Sequence, residues 1–515
     1  MSGFTAEPLA TTVARWAARD PGRAALVHGE RRISYAGLAD DVARHARAMI
    51  AAGVRPGDRI ACLAPPSPEF VVTLLAASAV GAIWVGLNPR YKLEELRYVL
   101  GDCTPRLMFA RTEIDGRGYA AELTAIAQDH PAMTIVTADT QPAFLAAGEA
   151  TQIAPLESRP PVGREPCMIV YTSGSTGRPK GAVLHHAGIA AFAEAQNRLW
   201  PLDPMRVLNY FPINHIGSVV DITCPALAGG GTVVLMEKFD PRESLALMAR
   251  ERCTLWASVP SVFQMQLDLP DFAGFDLSAV QLIVWEGAPM AEPLIRRLHA
   301  IHPRLATNYG MTEATSAILA EPPCADPEVL ARSVGRPFAH AEVRLMAPDG
   351  QEGDAGEIQL RSPLAMLGYW NRPEETAQAF TADGWLRTGD IGRRLADGRY
   401  AIAGRIKEMY KSGGYNVYPL EVEAVIDGHP LVHASAVVGV PDPLWDEVGV
   451  AFVVAEPGLT AAALLEHCRA HLANYKLPKR IELRDALPLL PIGKVDKVAL
   501  REAARALPPL PPAGA

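Results

Sequence analysis

The chain has no Cys-x-x-Cys pair, and its seven cysteines, at 62, 103, 167, 224, 253, 324 and 468, are an odd number scattered over 515 residues. That pattern argues against a disulfide framework and for unpaired thiols in a reducing cytoplasm. Positive charge is not in excess: the formal net charge is −8, which argues against a nucleic-acid surface and for solubility. No apolar stretch follows a basic start, so no signal peptide is expected. The run Phe70–Leu87 carries no charge over eighteen residues, the length of a membrane helix. It is Ala-rich, contains Gly81 and Gly86, and breaks at Asn88-Pro89. A buried helix running into a buried strand fits it better than an integral membrane segment. The Pro-rich tail from Leu507 lacks a peroxisomal Ser-Lys-Leu ending and is expected to be disordered. No internal repeat is visible.

What is present is ordinary globular composition, 49% hydrophobic and 21% charged, in a chain too long for one core. Apolar runs alternate with Ala/Leu-rich helical stretches through the first 400 or so residues; examples are Arg59–Leu63, Thr134–Val136, Thr232–Met236, Gln281–Val284 and Glu357–Leu360. The alternation predicts an α/β fold of helix-covered sheets. Charge density rises at Arg399–Lys411, and a second alternation follows: Glu421–Ile426 helical, Ala434–Val440 and Val448–Val454 strands, Ala461–Leu472 helical. A small α+β domain on a linker is expected there.

Residues 171–181, Tyr-Thr-Ser-Gly-Ser-Thr-Gly-Arg-Pro-Lys-Gly, hold three glycines, four hydroxyl residues and Lys180 between the apolar runs Met168–Val170 and Ala182–Leu184. Backbone N–H groups that glycine leaves uncovered can ring a phosphate, and the lysine adds a point charge. A flexible linker needs no lysine and would not be flanked by strand-like runs. The stretch has no Gly-Lys-Ser/Thr triplet, so it is not a Walker A loop.

This stretch resembles the signature of the adenylate-forming (AMP-binding) superfamily, which holds acyl- and aryl-CoA synthetases, peptide-synthetase adenylation domains and beetle luciferases. Further matches follow in the family's order: Phe211–Gly217 (FPINHIG), Trp285–Met290 (WEGAPM), Asn308–Glu313 (NYGMTE), Thr388–Asp390 (TGD), Gly404–Glu423 (GRIKEMYKSGGYNVYPLEVE) and Pro491–Leu500 (PIGKVDKVAL). The resemblance runs from about residue 10 to residue 503. It implies a large N-terminal domain, residues 1–404, a hinge at 405–407, and a small mobile C-terminal domain over 408–515.

The implied chemistry is activation of a carboxylate by ATP to an acyl-AMP, then displacement of AMP by a thiol. Bringing a carboxylate to a polyanion costs about 4 kcal/mol per unit-charge contact at roughly 4 Å and an effective dielectric of 20, so positive groups must be placed in advance. By resemblance, Thr172, Ser173, Gly174, Ser175, Thr176, Gly177 and Lys180 hold the β- and γ-phosphates. Glu313 is the Mg²⁺ ligand with Thr172 beside it, and Thr312 bonds the α-phosphate. Lys494 bridges the incoming carboxylate and the α-phosphate. Asp390, helped by Arg405, accepts the ribose hydroxyls. Tyr309, between Asn308 and Gly310, stacks on adenine, with Gly287, Ala288 and Pro289 on its other face. His215 shapes and gates the acyl pocket, whose candidate walls are His215–Val219, Val284–Gly287, Asn308–Met311 and Ser316–Ile318. General-base catalysis by His215 is not favoured. Rotation at Lys407 would replace Lys494 by the loop Ser412, Gly413, Gly414, Tyr415 and Asn416, which admits the pantetheine thiol. His185-His186 reads as structure rather than a metal pair, because adjacent side chains face apart.

Two residues depart from the family pattern. Glu286 stands where Gly, Ser or Ala is usual; it either lines the acyl pocket or points away and pairs with an arginine. Tyr410 replaces an Ile or Leu. The leading expectation is a cytoplasmic acid–CoA ligase using ATP, Mg²⁺ and coenzyme A on a medium-chain fatty or aromatic acid, with a homodimer left open. Transfer to a free-standing carrier protein's phosphopantetheine is the alternative. A luciferase-like oxygenase or a non-catalytic nucleotide binder stands further off, the latter because Lys180, Glu313 and Lys494 are all present.

Overall fold

The computed structural model describes residues 6–156, 163–172, 178–490 and 494–508. It is an α/β protein with a large N-terminal sheet region and a smaller C-terminal one. Two large sheets carry the N-terminal region. One has seven strands, with Pro166–Thr172, Ile83–Leu87, Arg59–Leu63, Leu107–Ala110 and Thr134–Val136 pairing in parallel. The other has nine, in which Arg206–Asn209, Leu255–Ser258, Leu282–Trp285 and Leu305–Met311 run parallel. Their buried Val/Ile/Leu runs reflect coverage on both faces. The expected strands over 59–63, 134–136, 232–236, 281–284 and 357–360 are all present, with ends moved by two residues at most at 357–360 and one elsewhere.

The uncharged run Phe70–Leu87 is the helix Pro68–Ala79 followed by the strand Ile83–Leu87, both buried. Among the described residues no helix is long and apolar enough to cross a membrane.

Parallel strands place their carboxyl ends on one side of the sheet, where crevices form and ligands bind in open α/β folds. Three site segments leave such ends: Tyr210–Gly217 after Arg206–Asn209, Glu286–Pro289 after Leu282–Trp285, and Thr312–Glu313 after Leu305–Met311. Buried Asn209 ties the first of these down. Its Nδ2 donates to the carbonyl of Ser218 (2.9 Å) and to Thr223 Oγ1 (3.0 Å), which holds the π-helical turn Gly217–Thr223 against the strand. A four-stranded antiparallel sheet, Glu342–Met346, Ala355–Arg361, Leu386–Arg394 and Tyr400–Arg405, leads to the C-terminal part.

That part is built on the long hairpin Val432–Asp442/Asp446–Ala455 with helices Pro419–Asp427, Ala461–His471 and Lys497–Arg505. The departure at Tyr410 has a packing cause. Gly439 and Gly449 are directly paired across the hairpin, and the Tyr410 ring lies over both. A Cβ at either glycine would run into the ring, so a flat aromatic fills the space that two facing glycines leave. Leu507 packs on the cluster of Val438, Val450, Phe452 and Leu500, and the carbonyl of Pro508 accepts from Arg480 Nη1 at 2.8 Å. Residues 509–515 lie outside the described residues.

Candidate active site

The strands Pro166–Thr172 and Lys180–His185 pair in antiparallel register with Thr172 opposite Lys180. Thr172 Oγ1 donates to the Lys180 carbonyl at 3.4 Å, closing the neck between them. Ser173, Gly174, Ser175, Thr176 and Gly177 lie outside the described residues. Lys180 Nζ stands 5.4 Å from the ring centroid of Tyr369. The Tyr369 hydroxyl in turn donates to Glu313 Oε1 at 2.8 Å. Burial and the Glu313 charge push the Tyr369 phenol well up, so it stays a donor. The structure therefore brings Lys180 and Glu313, far apart in sequence, to one phenol that the sequence motifs did not include.

Thr312 and Glu313 sit in a buried single turn, Thr312–Ala314, directly after the strand containing Asn308, Tyr309 and Gly310. Magnesium bound with nucleotide keeps several waters and takes phosphate oxygens, so it asks the protein for one or two carboxylates. Buried Glu313 meets that requirement, and its Tyr369 bond fixes one oxygen while the carboxylate stays oriented.

At the nucleoside end, Asp390 is buried and both its oxygens are engaged. The Tyr309 hydroxyl donates to Oδ2 (2.6 Å) and Arg405 Nε to Oδ1 (3.1 Å). Asp390 N–H donates to Thr388 Oγ1 (3.1 Å), whose hydroxyl reaches the Ile358 carbonyl (2.7 Å). Burial, then the Asp390 charge, holds the Tyr309 phenol far above its ordinary range. Two side chains thus fix the carboxylate, and Thr388 fixes the backbone N–H of the same residue. Gly287, Ala288 and Pro289 are exposed, and Gly287 has φ +83°.

Lys494 reaches across from the C-terminal part and lies against Gly287. A Cβ on that glycine would come within 3.0 Å of the lysine Cε, so the missing side chain is what admits the lysine. Burial, then the charge of Arg405, lowers the Lys494 pKa, while Glu286 and Asp390 work the other way. The cation is thus set among Arg405, Asp390 and Glu286.

At the acyl end, the Gly217 N–H donates to His215 Nδ1 at 3.0 Å. Burial, then the Lys494 charge, drives the His215 pKa down to about 3. The ring is neutral at physiological pH, with its proton on Nε2 facing away from Gly217. Such a ring is a weak base. Glu286 points inward. Its Oε1 lies 3.2 Å from the Cβ position left vacant at Gly217, and Oε2 accepts a long bond (3.4 Å) from Asn308 Nδ2. Its partner is an amide and not an arginine. Asp221, buried in the same π-helical turn as Gly217, had drawn no attention in the sequence because it sits inside an apolar run.

His185 caps the helix His186–Leu199, its Nδ1 accepting from Gly188 N–H at 3.0 Å, while His186 lies near Ser78 Oγ (3.4 Å). The two rings serve separate elements. Lys407 is exposed in the single turn Ile406–Glu408 between the four-stranded sheet and the C-terminal part. Gly413 (φ +58°) and Gly414 (φ +83°) form the two-residue turn of the hairpin Tyr410–Ser412/Tyr415–Val417, a conformation that favours glycine at both places. Beside this turn stand residues the sequence reading did not single out. Trp445 packs on Gly413 and lies 5.1 Å from Lys479 Nζ, and Tyr415 stacks on Tyr475 at 4.6 Å.

The geometry has counterparts among known proteins. A model described as AMP-binding enzyme matches residues 13–370, and one described as AMP-binding enzyme C-terminal domain matches residues 421–494. The chain is similar to a feruloyl-CoA synthase of an Amycolatopsis species, 37% identical over 500 residues, which cover 95% of this chain and 97% of the relative. It is similar to an indoleacetate–CoA ligase of Aromatoleum aromaticum, 37% identical over 506 residues, with 96% and 98% covered. Among solved structures, ATP-bound MatB from Rhodopseudomonas palustris aligns with a TM-score of 0.85 at 31% identity, covering 96% of this chain and 99% of that one. With the family model matched over residues 13–370 and its length covered almost throughout by these relatives, the chain belongs to the AMP-binding enzyme family.

Proposed function

We infer that this protein is an ATP-dependent, AMP-forming carboxylic acid–CoA ligase acting on a medium-chain fatty or aromatic acid. One observation carries the reading: Lys494 is seated against Gly287, between the Asp390–Arg405 pair and the Glu286–His215 end. A cation there meets both a carboxylate from the acyl side and an α-phosphate from the nucleotide side.

In the first step a carboxylate oxygen attacks the α-phosphorus, the P–O bond to the β-phosphate breaks, and pyrophosphate leaves. Lys494 offsets the repulsion between the two anions, and Thr312 donates to the α-phosphate. The neck at Thr172 and Lys180 brings the glycine-rich loop to the β- and γ-phosphates. Asp390 and Arg405 orient the ribose, and Tyr309 with Gly287–Pro289 brackets the base. Mg²⁺, when bound with the nucleotide, would neutralise phosphate charge, and Glu313 with Thr172 would hold it. In the second step a thiolate sulfur attacks the acyl carbon and the bond to the phosphate oxygen breaks, releasing AMP.

The second step needs a different surface, because Lys494 fills the approach along Gly287. Rotation at Lys407 would exchange Lys494 for the Gly413–Gly414 turn. The exposed ring of Trp445 with Lys479, and Tyr475 with Lys476 at 5.8 Å, suits a thiol that carries a base and phosphates, which favours coenzyme A as acceptor.

The test is product formation over a panel of aliphatic and aromatic acids with ATP and Mg²⁺. The reading predicts acid-dependent pyrophosphate release without a thiol, then AMP and acyl-CoA on adding free CoA. Pyrophosphate release followed by thioester on a phosphopantetheinylated carrier protein, and none on CoA, would replace it by the carrier alternative. No acid-dependent pyrophosphate release would end it.

A further inference from the structure

The acyl end holds two carboxyl groups where an apolar acid would want none. Glu286 follows the strand Leu282–Trp285 and reaches the bare Cα of Gly217. Gly217 opens the turn Gly217–Thr223, and Asp221 lies four residues further on, the spacing that returns a side chain to the same helical face. Ser316, from the neighbouring strand Ser316–Ala320, donates its hydroxyl to Asp221 Oδ1, and Gln196 Nε2 holds the Asp221 carbonyl at 2.9 Å. Lys494 lies against Gly287, Glu286 precedes that glycine and reaches Gly217, and Asp221 stands one turn beyond Gly217, so the contacts run from Lys494 through Glu286 to Asp221.

Resting on the ligase reading above, we propose that Asp221 and Glu286 form an acceptor wall that selects an acid bearing a hydrogen-bond donor, a hydroxyl or amino group, remote from its carboxylate. The accounting of donors supports this. The two carboxyl groups offer four oxygens, and the donors to those oxygens among the described residues are Ser316 Oγ and, at a long 3.4 Å, Asn308 Nδ2. Burial raises the pKa of both groups, and the Glu286 charge raises that of Asp221 further. Protonation of either group lessens the repulsion but leaves acceptors unfilled. An all-apolar acid would seal these oxygens from water with nothing to bond them, whereas a donor on the acid would fill the gap. Sites that bond a substrate hydroxyl reject the analogue lacking it, by about 10⁴–10⁵ at the extreme. Glu286 is half-buried and already has Asn308, so about tenfold is the least expected here.

The experiment compares kcat/KM for acyl-CoA formation on matched acids: 3-phenylpropanoic acid against its 4-hydroxy and 4-amino forms, and hexanoic acid against 6-hydroxy- and 6-aminohexanoic acid. Wild type should favour a donor-bearing member by about tenfold or more. Glu286→Gly and Asp221→Asn should each reduce that preference at least tenfold, Glu286→Gly by raising the apolar member. Glu286→Gln, which keeps the side-chain volume, covers the case in which the others do not fold, and should weaken the preference in the same direction. A gain on either the hydroxyl or the amino arm supports the proposal. Acyl-CoA formation with no donor preference, or with a preference that the folded variants leave unchanged, overturns it while the ligase reading stands. No acyl-CoA and no acid-dependent pyrophosphate from any acid overturns both.

Discussion

The C-terminal part presents two unlike surfaces. One carries Lys494, which is pressed onto Gly287 and surrounded by charges of both signs from the N-terminal region. The other carries the Gly413–Gly414 turn, flanked by Trp445 and Tyr415, and faces solvent. The first suits a step whose difficulty is two anions meeting, for which a placed cation is the remedy. The second suits a step whose difficulty is reach, for which a bare backbone beside an aromatic rim gives a long thiol arm a path. The contrast teaches that the two half-reactions of the proposed ligase call for opposite local chemistry, and that the Lys494 side suits the first of them.

Breaking the first surface should have the largest effect. Lys494→Ala is expected to slow acid-dependent pyrophosphate release by about 10²–10³, the usual loss for a preorganised electrostatic group. Thioester formation from supplied acyl-AMP should change by no more than a few-fold, as read in single-turnover assays. Equal loss in both assays would make Lys494 a structural residue and erase the contrast.

Asp390→Asn comes next. It removes the charge that pairs Arg405 and receives the Tyr309 hydroxyl. Charge-assisted hydrogen bonds are worth about 1.5–3 kcal/mol, so kcat/KM for ATP should fall by about 10- to 100-fold, with the CoA dependence of thioester formation unmoved.

Trp445→Ala probes the second surface. It strips the ring that covers Gly413 and meets Lys479. A cation–π and packing loss of about 1–2 kcal/mol should raise the KM for CoA roughly tenfold and leave pyrophosphate release alone. The smallest effect belongs to Tyr410→Phe, which lies beneath both surfaces. Its buried hydroxyl has no partner among the described residues. Removing it should leave both half-reactions intact and hold or raise thermal stability, by no more than about 1 kcal/mol, the scale of an unmade hydrogen bond. A clear destabilisation on thermal melting would mean the hydroxyl is satisfied.

The stretches proposed to hold the nucleotide, Asn308–Glu313, Thr388–Asp390 and the pair Thr172 and Lys180, could be read in the sequence because each is short and its backbone shape matters. Each motif needs its neighbours in the chain, so spacing exposes it. The acyl wall was not legible. Asp221 gains its meaning from Ser316, 95 residues away, and from Glu286, and neither contact leaves a local pattern. Glu286 could be flagged as odd, but whether it faced in or out depended on the bare Cα of Gly217 on another element. Trp445 and Tyr475 escaped notice for the same reason: each is an ordinary aromatic until the hairpin fold sets it beside the glycine turn. A Pro-rich composition likewise does not reveal that Leu507 packs on an apolar cluster.

The central claim is that one site is served in turn by the two surfaces, with Lys407 as the pivot. Lys407 is exposed in a single turn, so a substitution there removes no packing. Proline fixes φ near roughly −65° and denies the rotation. The direct measurement is Lys407→Pro assayed for both half-reactions in the same preparation. The account predicts acid-dependent pyrophosphate release within a few-fold of wild type and CoA-dependent thioester formation reduced by about 10² or more, the scale of a misplaced reacting group. Thioester formation at the wild-type rate in this variant would contradict it.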